Sequence, residues 1–129
     1  MGPITKIDPS RFLFDIHRDL SVSPRERKPG APERIDGMTV GISLIDRDPP
    51  HGGEIHPDGD EILYVVSGRI RVRAERAPDE PLELGRGEAC IVHKGEWHLV
   101  TTLEPTLLIN LTPGPRGNHR PVGYVPQRT

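Results

Sequence analysis

Apolar and polar residues alternate with period two over several short stretches. Nowhere is the 3.6-residue period of a helix sustained beyond about two turns. Phe12, Phe14 and Ile16 alternate with Leu13 and Asp15, predicting a short edge strand. Met38–Ile45 predicts the next, bounded by Gly37 and by Asp46-Arg47-Asp48-Pro49-Pro50. A strand over Glu54–His56 and another over Glu61–Val66 are separated by the turn cluster Pro57-Asp58-Gly59-Asp60. Ser67-Gly68 reads as a two-residue hairpin connection into a strand from Arg69 to Arg76. Short strands follow at Leu82–Leu84, Ala89–Val92, Trp97–Leu103 and Thr106–Leu111, with Glu104-Pro105 predicted to break the chain between the last two. Ser21–Asp36, rich in Pro, Arg and Glu, predicts an irregular arm, and residues 113–129 a tail that drapes over the domain or stays disordered. The expected class is all-β.

The faces of these strands carry the argument further. In the Arg69–Arg76 strand, Ile70, Val72 and Ala74 share one face, while Arg69, Arg71 and Arg73 form a solvated row on the other. With a hairpin at Ser67-Gly68, Val65 faces Ile70, Leu63 faces Val72 and Glu61 faces Ala74, which puts Glu61 on the apolar, inward side. Such a carboxylate must be paired, protonated or metal-bound to be tolerated. Tyr64, with Ile62 and Val66, lies on the opposite face. That face needs cover from the N-terminal arm or from a second subunit.

Composition narrows the setting. The chain has 129 residues, enough for one domain with its own core. Seventeen basic and 19 acidic residues leave a formal net charge of −2, which argues against nucleic acid or an anionic membrane as partner. No apolar run approaches the roughly 20 residues of a membrane span, and the first residues lack a signal-peptide core. A single cysteine, Cys90, excludes an internal disulfide and points to a reducing, cytoplasmic location. With no activating neighbour in the sequence, it reads as a small core residue. Fifteen prolines and 14 glycines spread between short apolar runs fit many turns.

Candidate chemistry sits between Gly53 and Gly68. Glu54 and His56, two residues apart on a strand, point to the same face. If the Pro57–Asp60 loop closes a hairpin, His56 and Glu61 lie opposite each other, with Cβ atoms about 5 Å apart. Two carboxylates and an imidazole then converge on one patch, a donor set suited to a metal ion. Asp58 and Asp60 read as turn residues, His51 as a loop histidine, and His17 and His119 as solvated. Trp97 points away from the face that carries its neighbour His98.

The pattern Glu54-x-His56, four residues, Glu61, six residues, Gly68 resembles the first motif of the cupins. Gly87, five residues, His93-Lys94-Gly95, two residues, His98 resembles the second, and 18 residues separate Gly68 from Gly87. The resemblance is to small single-domain cupins. It implies a double-stranded β-helix, a jelly-roll barrel over residues 37–112, preceded by an N-terminal arm over 1–36 and followed by a tail over 113–129. It further implies one divalent transition metal (Fe, Mn, Ni or Zn) held by Glu54, His56, Glu61 and His98, with Glu54 and Glu61 as acid–base groups. A small-molecule ligand or substrate, a homodimer, and an oxygenase, lyase or isomerase activity complete the expectation. The alternatives are a non-catalytic binding or sensing cupin and a mainly structural oligomeric protein.

The chain departs from the family pattern at Glu54, where the first histidine is expected, at His93, where a proline is usual, and at Thr102, in place of a trailing asparagine. Two glutamates neutralise a divalent cation where one leaves a positive site, so the metal would be a weaker Lewis acid and attract anions less. His93 is expected at the barrel rim, with substrate contact as its functional alternative.

Overall fold

The computed structural model describes residues 2–29, 34–48, 53–114 and 118–119. Among the described residues, nine strands form one antiparallel sheet that curls into a barrel: β1 (Phe12–His17), β2 (Val22–Glu26), β3 (Gly37–Ile45), β4 (Glu54–Ile55), β5 (Glu61–Ala74), β6 (Leu82–Gly85), β7 (Ala89–Val92), β8 (His98–Pro113) and β9 (Asn118–His119). The all-β expectation holds, and no helix among the described residues is long and apolar enough to cross a membrane. The order β2-β1-β3-β8-β4-β9 runs across the sheet, while β5 pairs with β6, β7 and β8.

The spine is the pairing of β5 with β8, the two longest strands. Here the structure corrects the sequence reading twice. Ser67-Gly68 does not turn the chain back, and Glu104-Pro105 does not end a strand; both stretches run on through irregularities where β5 and β8 bend together. The register slips between Val65 and Ser67, between Ser67 and Arg69, and between Arg69 and Ile70. Gly68 adopts φ 96°, and a Cβ there would collide with the Pro105 carbonyl and Thr106. Thr106 replaces the regular ladder locally: its Oγ1 accepts from the Arg69 N–H at 3.0 Å and donates to the Glu104 carbonyl at 2.8 Å. A glycine beside a serine serves a β-bulge as well as a hairpin, and only the partner strand decides between them.

The bulge changes the phase of burial along β5. Glu61, Leu63 and Val65 are buried before it, and Ile70 and Val72 after it. Glu61 therefore faces inward by alternation with Leu63 and Val65, not by facing Ala74. The core closes with Leu84 of β6, Val92 of β7 and Leu108 of β8, and Ile45, Cys90 and Val100 pack against it. On β8 the inward set is Thr106, Leu108 and Thr112, one residue out of phase with Leu107, Ile109 and Leu111.

At the N-terminal end, β1 is not the edge. It lies between β3 and β2, and β2 falls within the stretch expected to be irregular. Pro24 is tolerated on β2 because that strand is the sheet edge. Arg25 turns inward, where its guanidinium grips the buried Asp15 carboxylate at 2.7 and 3.0 Å; Thr39 Oγ1 donates to the same carboxylate at 2.7 Å. His17, expected to be solvated, is half-buried with Nε2 2.7 Å from Ser23 Oγ. In the tail, Asn118 and His119 pair with β4 through their backbone.

Candidate metal centre

Glu54, His56, Glu61 and His98 stand at the beginnings or ends of strands. Glu54 opens β4, His56 follows its last residue, Glu61 opens β5 and His98 opens β8. Barrel curvature brings these termini to one point inside. Glu54 and His98 are direct cross-strand partners. The expected hairpin between His56 and Glu61 does not form: β4 pairs with β8 and β9, and β5 with β6, β7 and β8. The Pro57–Asp60 loop instead carries the chain to a strand that β4 does not pair with. The Gly95 N–H donates to the His56 carbonyl at 3.1 Å and fixes its backbone.

The four side chains nevertheless meet. His56 Nε2 lies 3.4 Å from both Glu54 Oε1 and Glu61 Oε1. His98 Nε2 lies 3.2 Å from Glu61 Oε1 and 3.7 Å from Glu54 Oε1. The two imidazole centroids are 5.4 Å apart. One donor atom from each residue lies within 4.8 Å of every other. Around an ion bound at about 2.1 Å, neighbouring donors sit about 3.0–3.4 Å apart and opposite ones about 4.2 Å. The observed spacings fit that shell.

Burial makes the fit chemically specific. His56 Nε2, Glu61 Oε1 and His98 Nε2 are buried and make no hydrogen bond to a protein group. Three unsatisfied polar atoms aimed at one point are expensive in an apolar interior and are relieved by a cation. His56 Nδ1 is likewise buried without a partner, while the second polar positions of His98 and Glu61 are tied down. His98 Nδ1 lies 3.1 Å from the Glu96 carbonyl, so that contact accepts its N–H and leaves the Nε2 lone pair facing the cluster. Thr112 Oγ1 donates to Glu61 Oε2 at 2.6 Å and accepts from Asn110 Nδ2 at 2.8 Å.

Charge in the ion-free cluster is held by the protein. Burial alone would lower His56, but the Glu54 and Glu61 carboxylates push it up to about 10. Burial alone would raise Glu61; His56, His98 and the Thr112 hydroxyl outweigh that and bring it down to about 2. His98 is raised and Glu54 lowered by the same balance, in which burial opposes pairing. The two carboxylates thus favour the protonated form of both imidazoles in the ion-free cluster, and a divalent ion would take the place of those protons.

Other residues singled out in the sequence fall outside the cluster. His93 is exposed at the rim, with Nδ1 3.5 Å from Asp60 Oδ2. Asp60 also accepts the Lys94 N–H at 2.7 Å, and Asp58 pairs with Arg34, so both turn aspartates anchor their loop. Cys90 is half-buried, its thiol pushed up by burial and then by Glu61, which disfavours a nucleophilic thiolate. Arg69 and Arg71 pair with Glu83 at the surface. His51 lies outside the described residues. Sequence reasoning missed Asn110 and Thr112. The signal was two polar residues in the phase opposite to Leu107, Ile109 and Leu111, on the strand facing Glu61.

Fold and cluster define a class: an antiparallel β-barrel with a buried His/Glu group that could hold a metal ion. The chain belongs to the cupin domain family, whose pattern matches residues 47–111. Solved structures share the architecture. KdgF from a Halomonas species is 28% identical, with 71% of this chain and 86% of that one covered at a TM-score of 0.51. A conserved protein with a double-stranded β-helix domain from Klebsiella pneumoniae is 18% identical, covering 74% and 89%, at 0.53. A cupin-2 domain protein from Shewanella frigidimarina is 18% identical, covering 69% and 82%, at 0.52. Among curated proteins none matches the chain.

Proposed function

We propose that this cupin is a metal-dependent enzyme acting on a small organic molecule, of the oxygenase, lyase or isomerase type. The observation that carries the reading is the convergence of His56 Nε2, Glu61 Oε1 and His98 Nε2, all buried and without hydrogen-bond partners, on one point. Glu54, His56, Glu61 and His98 would hold one divalent transition ion. Two nitrogen and two oxygen donors suit Fe, Mn, Ni or Zn alike. Such an ion would supply Lewis-acid polarisation of a carbonyl or a binding position for O₂.

The chain's own groups divide the remaining work. The Glu61 side chain is 4% exposed and locked by Thr112, so its role is to hold. The Glu54 side chain is 27% exposed, and as the more accessible of the two carboxylates it would accept a proton from a bound molecule. A cavity of about 270 Å³ reaches His98 and is lined by Val72, Ala74, Cys90 and Val92 together with Arg76 and Glu96. That volume suits a small molecule with an apolar flank.

Elemental analysis of the purified full chain, before and after reconstitution with each ion, tests the first half; a protein that takes up no stoichiometric ion overturns it. Loaded protein is then assayed for O₂ uptake and for solvent-proton exchange with small diols and keto acids, and Glu54→Gln is expected to abolish exchange. A second reading, a non-catalytic binding or sensing cupin, draws on the same charge balance, because two carboxylates weaken the ion as a Lewis acid. Tight small-molecule binding without turnover favours it. In either reading the working form is a cytoplasmic homodimer with no nucleic-acid partner.

A further inference from the structure

A line of polar groups leads from the metal cluster into the sheet. It starts at Glu61 on β5, passes through Thr112 and Asn110 on β8, and ends against Gly41 on β3. Asn110 stands opposite Gly41 on one side and the buried Leu63 on the other, so it shares the inward face with Thr112, two residues further on. The direction of each hydrogen bond in this line is forced. As a metal ligand, or as the partner of two imidazoles, Glu61 is a carboxylate and only accepts. Thr112 has one hydroxyl proton, and it goes to Glu61 Oε2 at 2.6 Å. The Thr112 oxygen is left as an acceptor, and Asn110 Nδ2 donates to it at 2.8 Å. Asn110 therefore turns its amide nitrogen toward Thr112 and its Oδ1 toward β3. A Cβ at Gly41 would come within 2.5 Å of that Oδ1 and 3.3 Å of Leu13. Gly41 does not adopt a positive φ, so what the glycine supplies here is room and not backbone freedom. The two oxygens of Glu61 are thereby sorted. Oε2 is committed to Thr112, while Oε1 lies 3.4 Å from His56 Nε2 and 3.2 Å from His98 Nε2 without a hydrogen bond.

We propose that Asn110 is a positioning residue for the Glu61 carboxylate. By donating to Thr112 it aims the Thr112 hydroxyl at Glu61 Oε2, leaves Glu61 a single oxygen for the ion, and depends on Gly41 for the space it occupies. The proposal rests on the reading of the cluster as a metal centre. A carboxylate that offers one oxygen suits a compact coordination sphere, whereas one that chelates through both suits larger and more flexible spheres. Without the Asn110 bond the Thr112 hydroxyl is free to turn to another acceptor, and Oε2 is released. Groups that orient a metal ligand change affinity about 10–100-fold. Asn110 acts one hydrogen bond further out than Thr112, which places it at the lower end of that range.

Zn(II) binding to the full chain, measured by competition with a fluorescent chelator, tests the proposal together with infrared difference spectra of carbon-13-labelled glutamate, loaded minus metal-free. Asn110→Leu keeps the side-chain volume and is expected to lower Zn(II) affinity about 10-fold. It should also narrow the gap between the two carboxylate stretching bands, the sign of binding through both oxygens. Asn110→Ala serves the same purpose where the leucine does not fold. In a Thr112→Val background the same substitution should change neither reading, because its effect passes through that hydroxyl. Gly41→Ala should reproduce the loss and add nothing to Asn110→Leu. Thr39→Val removes a different buried hydroxyl, one that donates to Asp15 at 2.7 Å, and should lower the urea midpoint with Zn(II) affinity unchanged. Unchanged affinity or an unmoved band gap in Asn110→Leu overturns the proposal. An equal loss in the Thr112→Val background or in Thr39→Val also overturns it, since the effect would then be a general loosening of the barrel. A wild type that takes up none of Fe, Mn, Ni or Zn overturns the metal reading itself, and this role with it.

Discussion

Thr112→Val is the sharpest probe of how the barrel holds its cluster. The substitution keeps the shape of the side chain and removes one hydroxyl, whose oxygen donates to Glu61 Oε2 at 2.6 Å in a buried setting. A hydrogen bond to a charged group contributes about 1.5–3 kcal/mol. A second route to the magnitude uses the acidity of Glu61. Its carboxyl falls from 4.5 to about 2, with burial opposing and His56, His98 and Thr112 driving the change. That gap corresponds to about 3 kcal/mol. Thr112 ranks behind both imidazoles, so its share is about 1 kcal/mol. The expected loss in metal-free protein is therefore about 1–2 kcal/mol at pH 6. The sign follows from linkage. A depressed carboxylate stabilises the fold above about 4.5, and that stability drains away as pH falls toward 2. The difference between variant and wild type is thus expected to shrink to about half by pH 2.5. Urea unfolding at the two pH values measures it, and the carbon-13 titration of Glu61 should move upward in the variant. Metal affinity, read by competition with a fluorescent chelator, is expected to drop about 10–100-fold, as for other groups that orient a ligand. A loss equal at both pH values, or an unmoved Glu61 titration with unchanged affinity, would refute the view that Thr112 holds the carboxylate.

Further outcomes are expected at neighbouring positions. His98→Ala should strip the ion, measured as metal content after dialysis; full retention removes His98 from the shell. Glu54→His should keep or tighten binding in the same assay, whereas a large loss would show that the two-carboxylate charge balance matters more than donor type. In metal-free protein, His56 is raised from 6.5 to about 10. Its contribution is present below about 6.5 and fades as pH rises toward 10, so urea midpoints should plateau between about 4.5 and 6.5 and fall on the alkaline side. Gly68→Ala should lower stability by about 2 kcal/mol or more in thermal melts, because φ 96° disfavours a side chain and Pro105 and Thr106 leave no room for one. A neutral result would mean that the β5–β8 bend relaxes freely.

Much of the barrel was legible from alternation. The strands over Met38–Ile45, Leu82–Leu84 and Ala89–Val92 sit within a residue of where their patterns put them. Glu61 was placed inward, and it is 3% exposed. The route to that placement was wrong, since it assumed a hairpin at Ser67-Gly68. The local alternation Glu61, Leu63, Val65 was sufficient alone. Less legible were strands built from residues that usually mark loops. β2 contains Pro24, Arg25 and Glu26, and its signal was hidden because Arg25 is drawn half-way into the sheet by an ion pair with the buried Asp15 and not by being apolar. Asn110 and Thr112 were overlooked because their purpose depends on a carboxylate some fifty residues away.

The sequence by itself determined most of the strand stretches, the alternation within each and the four donor-bearing residues, because side-chain alternation and motif spacing are properties of the local chain. Only the tertiary structure decided which strands pair. β4 lies against His98 of β8 and not against β5, and Ser67-Gly68 is a bulge and not a turn. Pairing joins residues far apart in the chain, and its choice rests on closing one core around Leu63, Val65, Ile70 and Leu108. No local pattern encodes that closure, and the meeting of two carboxylates with two imidazoles inside the barrel is its consequence.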